Sequence, residues 1–437
     1  MNRETASREE LLELIAQLEA RIRELEARLG GGAPPPRMPG HKPTAPPRPE
    51  PPTPRKRRAH GYGRPRSVPT RQEVHAVARC PACDCALVGG AVKRTREVIE
   101  LALPPVEIIE HQYVERVCPL CGKRWTPRVE LAGQVVGQSR LGVNLTSLIV
   151  TLREVGRWPF ATIQWYLATV HQLTLSLGAL VQAGQRVAQA GQAEVAAIRA
   201  QIRGSPVVHA DETGWRENGQ NRYVWSFSTP TARYFAFGTR AGAMVDEVLG
   251  ADFGGVLVSD GYAGYTHHPC PHQRCWVHLL RDLHDLKRRH PAAAELAAWA
   301  GRIHELYQAA TTYPGTDRAP TPAERVQAKR AFQERLHGLV APYLADATHP
   351  RHQVSGYIER FLWQWFTFIA YPEAPSDNNA AERSVRPLVV SRKISGGTRS
   401  AAGTAMKMAL ATLFGTWRAR GLDPFAACQQ LLTSPQL

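Results

Sequence analysis

Apolar positions follow different periods in successive parts of the chain. In residues 8–29, Leu11, Ile15, Leu18, Ile22, Leu25 and Leu29 recur in steps of four and three, the heptad seam of a helix with one apolar stripe. Mostly Ile at a and Leu at d suit a parallel two-stranded coiled coil, in which Arg21 at g faces Glu26 at e of a partner. A seam this short also fits a helix packed on its own protein. Gly30, Gly31 and Gly32 end it. Helical periodicity returns over residues 140–200 as "LTSLIVTLREVG", "PFATIQWYLATVHQL" and "SLGALVQAGQRVAQAGQAEVAAIRAQI", three expected helices. The loop "HQLTLS", with Ser176 as N-cap, suits either a helix-turn-helix or a plain helical connector.

After Gly204 the period falls to two. "PVVHADETGW" places Val207, His209, Asp211 and Thr213 on one strand face and Glu212 on the other. "RYVWSFS" and "RYFAFG" continue as an antiparallel meander, and "AGAMVDEVLG" reads as a short helix. "GGVLVSDGYAGY" contains the unbroken apolar run of a buried central strand, with Asp260 at its carboxyl end. Residues from about 279 to 370 are again helical in pattern, a helical insertion before the segment "SDNNAAERSVR". Trp363, Trp365, Phe366 and Phe368 in that insertion read as core residues, with base stacking as the alternative.

Charge adds a partner to this outline. The 437 residues carry 54 Lys and Arg against 38 Asp and Glu, a net +16, which points to a polyanion such as nucleic acid. Residues 33–70 hold 13 prolines, nine basic residues and one acidic residue, the composition of an extended linker. Within it Arg55, Lys56, Arg57 and Arg58 form either a phosphate-gripping arm or a solvated charge run. The charged N-terminus is not a signal peptide, and no run of about 18 apolar residues is long enough for a membrane span. A cytoplasmic protein is expected. No G-x-x-x-x-G-K-[ST] loop for nucleoside triphosphates occurs.

Cysteines supply the first metal chemistry. Cys80-Pro-Ala-Cys83 and Cys118-Pro-Leu-Cys121 are two knuckles with 34 residues between them. Each brings two thiolates to one side of a turn, and four thiolates close a structural Zn²⁺ site with no position left for water. Strands in the β-branched segment between them would make a zinc ribbon, with Cys85 as a spare thiol. The run His267, His268, Cys270, His272, Cys275 and His278 is dense in potential ligands, but its spacing matches no closed zinc site.

Carboxylates supply the second. Asp211 and Asp260 lie 49 residues apart, on what would be the first and fourth strands of a β-β-β-α-β order, which can lie side by side and parallel. Two adjacent carboxylates repel, and a hard divalent cation, Mg²⁺ or Mn²⁺, resolves the conflict. Glu382 is the candidate third ligand. Ser376 and Asp377 are N-cap types, Ala381 and Val385 offer a small face to a sheet, and Glu382 pairs with Arg386 at i, i+4. Arg383, Arg386, Arg392 and Lys393 follow where DNA phosphates would need cations. Asn378 and Asn379, one turn earlier, are placed to orient Glu382, a water or a phosphate. Taken singly, the two aspartates also read as strand-end caps and the helix as a charged surface helix.

Together "HADETGW", "SDGYAGY", "RCWVHLLRDL" and "SDNNAAERSVRPLVVSRK", in this order, resemble the bacterial insertion-sequence DDE transposases of the IS-sixty-six (TnpC) family. The resemblance covers nearly the whole chain. It implies an α/β fold: a ribonuclease-H-like catalytic domain with a helical insertion over residues 204–437, preceded by a coiled-coil helix (1–32), a basic Pro-rich linker (33–70), a four-cysteine zinc domain (71–135) and a helical DNA-binding region (136–203). It further implies Asp211, Asp260 and Glu382 as the catalytic, Mg²⁺-binding triad and Cys275-x2-His278 as a Cys-x2-His signature. Transposon inverted repeats and target DNA are the implied partners, with a homo-oligomer of at least a dimer, small accessory proteins and a nucleoid location. One departure stands out: "KISGGTRSAAGTAMKMALATLFG" is Gly- and Ala-rich where the family continues with aromatics. The rival expectations are a non-catalytic zinc-containing DNA-binding protein derived from a transposase and a ribonuclease-H-fold nuclease without strand transfer.

Overall fold

The structure, a computed structural model, describes residues 68–69, 71–96, 106–127, 130–313, 315 and 318–434, together with Gln17 and Ala20. The rest of the heptad segment and the basic stretch with Arg55, Lys56, Arg57 and Arg58 lie outside the described residues. The chain divides into two units, Met1–Glu100 and Leu101–Leu437, so the four knuckle cysteines are split two and two.

In the first unit the Cys80 N–H donates to the Cys85 carbonyl and the Asp84 N–H to the Cys80 carbonyl, both at 2.9 Å. Asp84 turns the chain with φ +56°. The second unit repeats this geometry: Cys118 N–H to Lys123 O at 2.8 Å, Gly122 N–H to Cys118 O at 2.9 Å, and Gly122 at φ +67°. Strands β1 (Arg116–Val117) and β2 (Arg124–Trp125) pair antiparallel around this second knuckle. Among the described residues from 106 to 117, strand structure is confined to β1, far less than the alternating pattern led one to expect.

Four helices follow where three were expected: α1 (Val143–Glu154), α2 (Phe160–Val170), α3 (Leu177–Ala190) and α4 (Gln192–Arg203). The Ser176 hydroxyl caps α3 by accepting from Ala179 N–H at 3.2 Å. The extra break falls at Gly191, which ends α3 and starts α4. A β-carbon there would strike the Leu413 side chain, so close packing selects glycine, and glycine interrupts the helix.

A five-stranded sheet forms the centre, built from β3 (Val207–Glu217), β4 (Gln220–Ser228), β5 (Arg233–Gly238), β6 (Val256–Ser259) and β7 (His272–Arg274) in the order β5-β4-β3-β6-β7. β3, β4 and β5 form an antiparallel meander; β6 and β7 add parallel to β3. Helix α5 (Ala243–Leu249) crosses over between β5 and β6. All four residues of β6 are buried, as its apolar run requires. Val208, Ala210, Trp225, Phe227 and Leu257 join the main core.

From β7 the chain enters the helical insertion: α6 (Trp276–Arg289), α7 (Ala294–Thr311), α8 (Pro322–Val340), α9 (His352–Arg360) and α10 (Thr367–Ala370). It has its own core around Trp276, Trp299, Ile358, Trp365 and Phe366. The chain returns to the sheet with α11 (Asn379–Ser395), α12 (Ala401–Ala419) and α13 (Pro424–Thr433). Small residues let α12 lie against edge strand β5, where the Thr412 and Thr416 hydroxyls accept from the Phe235 and Arg233 N–H groups at 3.1 and 3.0 Å. That satisfies backbone donors of an edge strand and gives the Gly/Ala-rich stretch a structural reason. Among the described residues no helix is long and apolar enough to cross a membrane.

Candidate active site

The site arises from unequal strand lengths. β3 runs eleven residues, whereas β6 stops at Ser259 and pairs with β3 only up to His209↔Val258. Beyond that register β3 has an open side, and the turn after β6 folds into the notch. Carboxylate oxygens of Asp211, Glu212 and Asp260 lie within 4.8 Å of one another there. The Asp211 carboxyl is pushed up to about 7, first by desolvation and then by the neighbouring Glu212 and Asp260 charges, with Glu382 adding to the field. Its Oδ1 accepts from the Glu212 N–H at 2.9 Å.

Glu212 leaves β3 on the opposite face, as the alternation requires, yet its carboxylate still reaches the notch. There Arg240 grips Oε1 through Nε and Nη2 at 3.1 and 2.7 Å, and the buried Tyr265 hydroxyl donates to Oε2. Burial and the acids around it raise the Tyr265 phenol well above its usual value, so it stays a donor. Asp260 Oδ1 accepts from Tyr262 N–H at 2.9 Å. Its loop is held by Arg274, fully buried, which donates to the Ser259 hydroxyl at 3.2 Å, the Tyr262 carbonyl at 3.0 Å and the Asp260 carbonyl. Arg274 Nε reaches Gln364 Oε1 at 2.6 Å. Burial lowers the guanidinium to about 10. Gly261 must be glycine: a β-carbon would overlap the Tyr357 phenol from α9.

Helix α11 packs across the same face. Ala381 and Val385 are buried against the sheet, and the Ser384 and Ser226 hydroxyls meet at 3.0 Å. The helix starts at Asn379, later than the Ser376 and Asp377 caps predict. Asp377 Oδ1 does accept from Asn379 N–H at 2.9 Å, but Ser376 is taken by the Tyr307 hydroxyl at 2.9 Å. Asn378 is buried and does three things: its N–H donates to Cys275 Sγ at 3.2 Å, Nδ2 donates to Ala210 O at 2.7 Å, and Oδ1 pairs with His209 Nδ1 at 3.1 Å. Asn378 therefore ties α11 to β3 and to the start of α6. Glu382, in the first turn, keeps 41% of its side chain exposed, and its ion-pair partner is His278 at 3.6 Å, not Arg386. Glu382 belongs to the field on Asp211, but lies outside the tight three-carboxylate group.

Arg383, Arg386 and Lys393 are exposed on α11. Arg392 differs from the sequence expectation: its guanidinium donates to Thr213 Oγ1 at 3.1 Å and to Gly214 O, which makes it a strut onto β3. The His/Cys run is engaged in local bonds. His268 Nε2 pairs with Gly250 O at 2.9 Å while its Nδ1 accepts from Cys270 N–H at 3.3 Å, and His272 Nε2 pairs with His268 O at 2.8 Å. Burial pushes the Cys270 thiol up to about 12 and raises that of Cys275. Trp365 and Phe366 are core residues as expected, whereas Trp363 is 54% exposed. Residues that sequence reasoning missed are Glu212, Arg240, Tyr265, Arg274 and His209. The doubled acid Asp211-Glu212 was the available signal for the first; Arg240 and Tyr265 reach Glu212 from 28 and 53 residues away, Arg274 reaches the Asp260 carbonyl from 14, and His209, on β3 itself, finds its partner Asn378 169 residues on.

Residues 138–406 match the Transposase IS66 family, more than half of the chain. A protein of Sinorhizobium fredii (strain NBRC 101917 / NGR234), described as uncharacterized protein y4qI, is 27% identical over 242 residues, covering 50% of this chain and 43% of that protein. The chain thus spans less than half the length of that relative. With the family matched across the helical region, the carboxylate notch and the insertion, the chain belongs to the IS66 family of transposases.

Proposed function

We propose that the chain is a DDE transposase with a ribonuclease-H-like catalytic domain, cutting and joining DNA at Asp211, Asp260 and Glu382. The carrying observation is the carboxylate notch, where Asp211 is driven to about 7 by burial and neighbouring acids. Such a hard-oxygen donor set, electrostatically frustrated when empty of countercharge, fits Mg²⁺ or Mn²⁺. When bound, divalent ions supply Lewis-acid polarisation of the phosphodiester and neutralise charge on the attacking and leaving oxygens. Asp211 on β3 and Asp260 just past β6 would hold the ions, with the half-exposed Glu382 on α11 as the further carboxylate. Glu212, paired with Arg240 and hydrogen-bonded by Tyr265, orients the pair. Arg383, Arg386 and Lys393 bind phosphates beside Glu382, and Arg55, Lys56, Arg57 and Arg58 serve as a sequence-independent arm. The sheet order β5-β4-β3-β6-β7 supports the ribonuclease-H-like reading.

A structural Zn²⁺ held by Cys80, Cys83, Cys118 and Cys121 is part of the proposal. Backbone N–H groups of Ala82 and Cys83 lower the Cys80 thiol, and those of Cys121 and Leu120 lower Cys118, which favours the thiolates a metal needs. Transposon ends and target DNA are the proposed partners, engaged by a dimer or higher assembly in the bacterial cytoplasm, with small accessory proteins alongside.

The test is Mg²⁺- or Mn²⁺-dependent cleavage and joining on DNA carrying the element's ends. Glu382→Gln should reduce the rate beyond the about 10–100-fold typical of losing a group that only orients a ligand, and Glu212→Gln should stay within that range. Normal cleavage by Glu382→Gln would remove Glu382 from the triad. Cleavage without joining would favour a plain nuclease, and binding without cleavage a non-catalytic DNA-binding protein.

A further inference from the structure

A concavity of about 450 Å³ lies on the helical insertion, lined by Pro322, Val326, Lys329, Arg330, Gln333, Trp363, Ala370 and Tyr371. Its volume falls within the roughly 300–1,000 Å³ of ligand sites. Two cations and no carboxylate line it. Trp363 is the residue of its aromatic run that the core does not absorb, at 54% exposure beside fully buried Trp365 and Phe366. Its neighbours are held on both sides, Gln333 Nε2 donating to Leu362 O at 3.5 Å and Gln364 Oε1 accepting from Arg274 Nε at 2.6 Å, and the indole itself meets the His272 ring edge-on with centroids 6.4 Å apart. The indole is therefore a positioned aromatic surface. Lys329 is largely withdrawn from solvent, and its hydrogen-bond partner is the Thr367 hydroxyl at 3.1 Å rather than an anion. Arg330 is exposed on the same wall and has no carboxylate within 4 Å among the described residues. The nearest acid along α8, Glu334, lies one turn on from Arg330 with no ion pair to it among the described residues, and Glu324 is engaged by Thr321 and Arg318.

We propose that this concavity binds one unpaired nucleobase of a DNA strand, stacked on Trp363, with the adjoining phosphate held by Lys329 and Arg330. Aromatic stacking accepts any base, and paired cations supply the countercharge a strand carries. The inference rests on the reading that the chain processes DNA strands. It adds a place for a base left unpaired near a reacting end, since an aromatic face beside cations suits single-stranded DNA. Gln364 and Arg274 connect the subsite to the Asp260 loop, because Arg274 touches both Gln364 and the Asp260 carbonyl.

The experiment uses the full chain with its proposed zinc and with Mg²⁺ and Mn²⁺ omitted, so no cleavage is needed. A forked duplex carrying 5-iododeoxyuridine in its unpaired arm is irradiated, and the cross-linked peptide is mapped by mass spectrometry; a blunt duplex of the same sequence is the control. Cross-linking to Trp363 by the fork and not by the blunt duplex is expected. Trp363→Ala should bind the fork about tenfold more weakly with blunt-duplex affinity unchanged, and Trp363→Phe should retain most of it. Cross-links only outside residues 361–371, or equal weakening on both substrates, would overturn the proposal. So would a change in oligomeric mass on Trp363→Ala with fork preference intact, which would make the concavity a protein interface. Absence of metal-dependent cleavage by the natural chain, with the cross-link preserved, would count against the catalytic reading and leave this one standing.

Discussion

Asp211 is the residue whose chemistry is most altered by folding. Its carboxyl is raised from 3.8 to about 7, chiefly by burial, so the folded protein holds this proton more tightly than the unfolded chain. The stability it lends is complete below about pH 4 and is lost as pH rises through about 7. Metal-free Asp211→Asn should therefore unfold at a higher temperature than the natural protein at pH 8 and at nearly the same temperature at pH 4. Thermal unfolding at both pH values measures this; equal stability gains at both would show that Asp211 is not strained. Adding Mg²⁺ at pH 8 should raise the unfolding temperature of the natural protein more than that of Asp211→Asn. Metal affinity should rise with pH up to about 7, as the proton ceases to compete. Legibility differed among the acids. Asp211 and Asp260 stood out because each ends or edges a strand pattern. Glu212's part did not, since alternation assigns it to the far face and only strand β6's early end brings its carboxylate round.

Among the elements, α11 is the one whose role changed most. Its sequence reads as a capped, charged helix; in the fold it is a clamp. Asn378 holds it to β3 through Ala210 and His209, 168 and 169 residues away, and Arg392 braces its far end on Thr213. Burial lowers the His209 imidazole, so this ring stays neutral against Asn378. Asn378→Ala should cost about 1–3 kcal/mol, the range for leaving buried partners unsatisfied, and should also lower activity by loosening Glu382. Asn379→Ala, at a position where the backbone N–H makes the bond to Asp377, should stay within about 0.5 kcal/mol. Urea unfolding of both variants checks the contrast; equal losses would contradict the clamp. The helical period found α11 and its buried Ala381–Val385 face. It was silent on Glu382's partner, because His278 sits on α6, 104 residues earlier in sequence and across the insertion.

On the scale of the whole molecule, the proposed zinc site and the carboxylate notch belong to separable machinery. The cores around Trp225 and Trp276 contain no knuckle residue. Cys118→Ser should accordingly abolish bound Zn²⁺ and weaken DNA binding while leaving the main thermal transition within about 0.5 kcal/mol of the natural protein. Zinc content, salt-dependent DNA binding and calorimetry on the same preparation read all three; unchanged zinc would defeat the assignment. Local periodicity was enough to indicate the meander, the central strand, the helical insertion and which residue types carry chemistry, since each reflects burial of one face over a few neighbouring residues; it failed between the two cysteine knuckles, where little strand forms among the described residues. Tertiary structure alone decided which carboxylates meet, that Arg392 turns inward while Arg383 and Arg386 face solvent, that Gly191 splits a helix, and that Trp363 is left outside the core. Those outcomes depend on strand register, strand length and contacts between residues 28 to 222 positions apart, and no short-range pattern encodes distances of that kind.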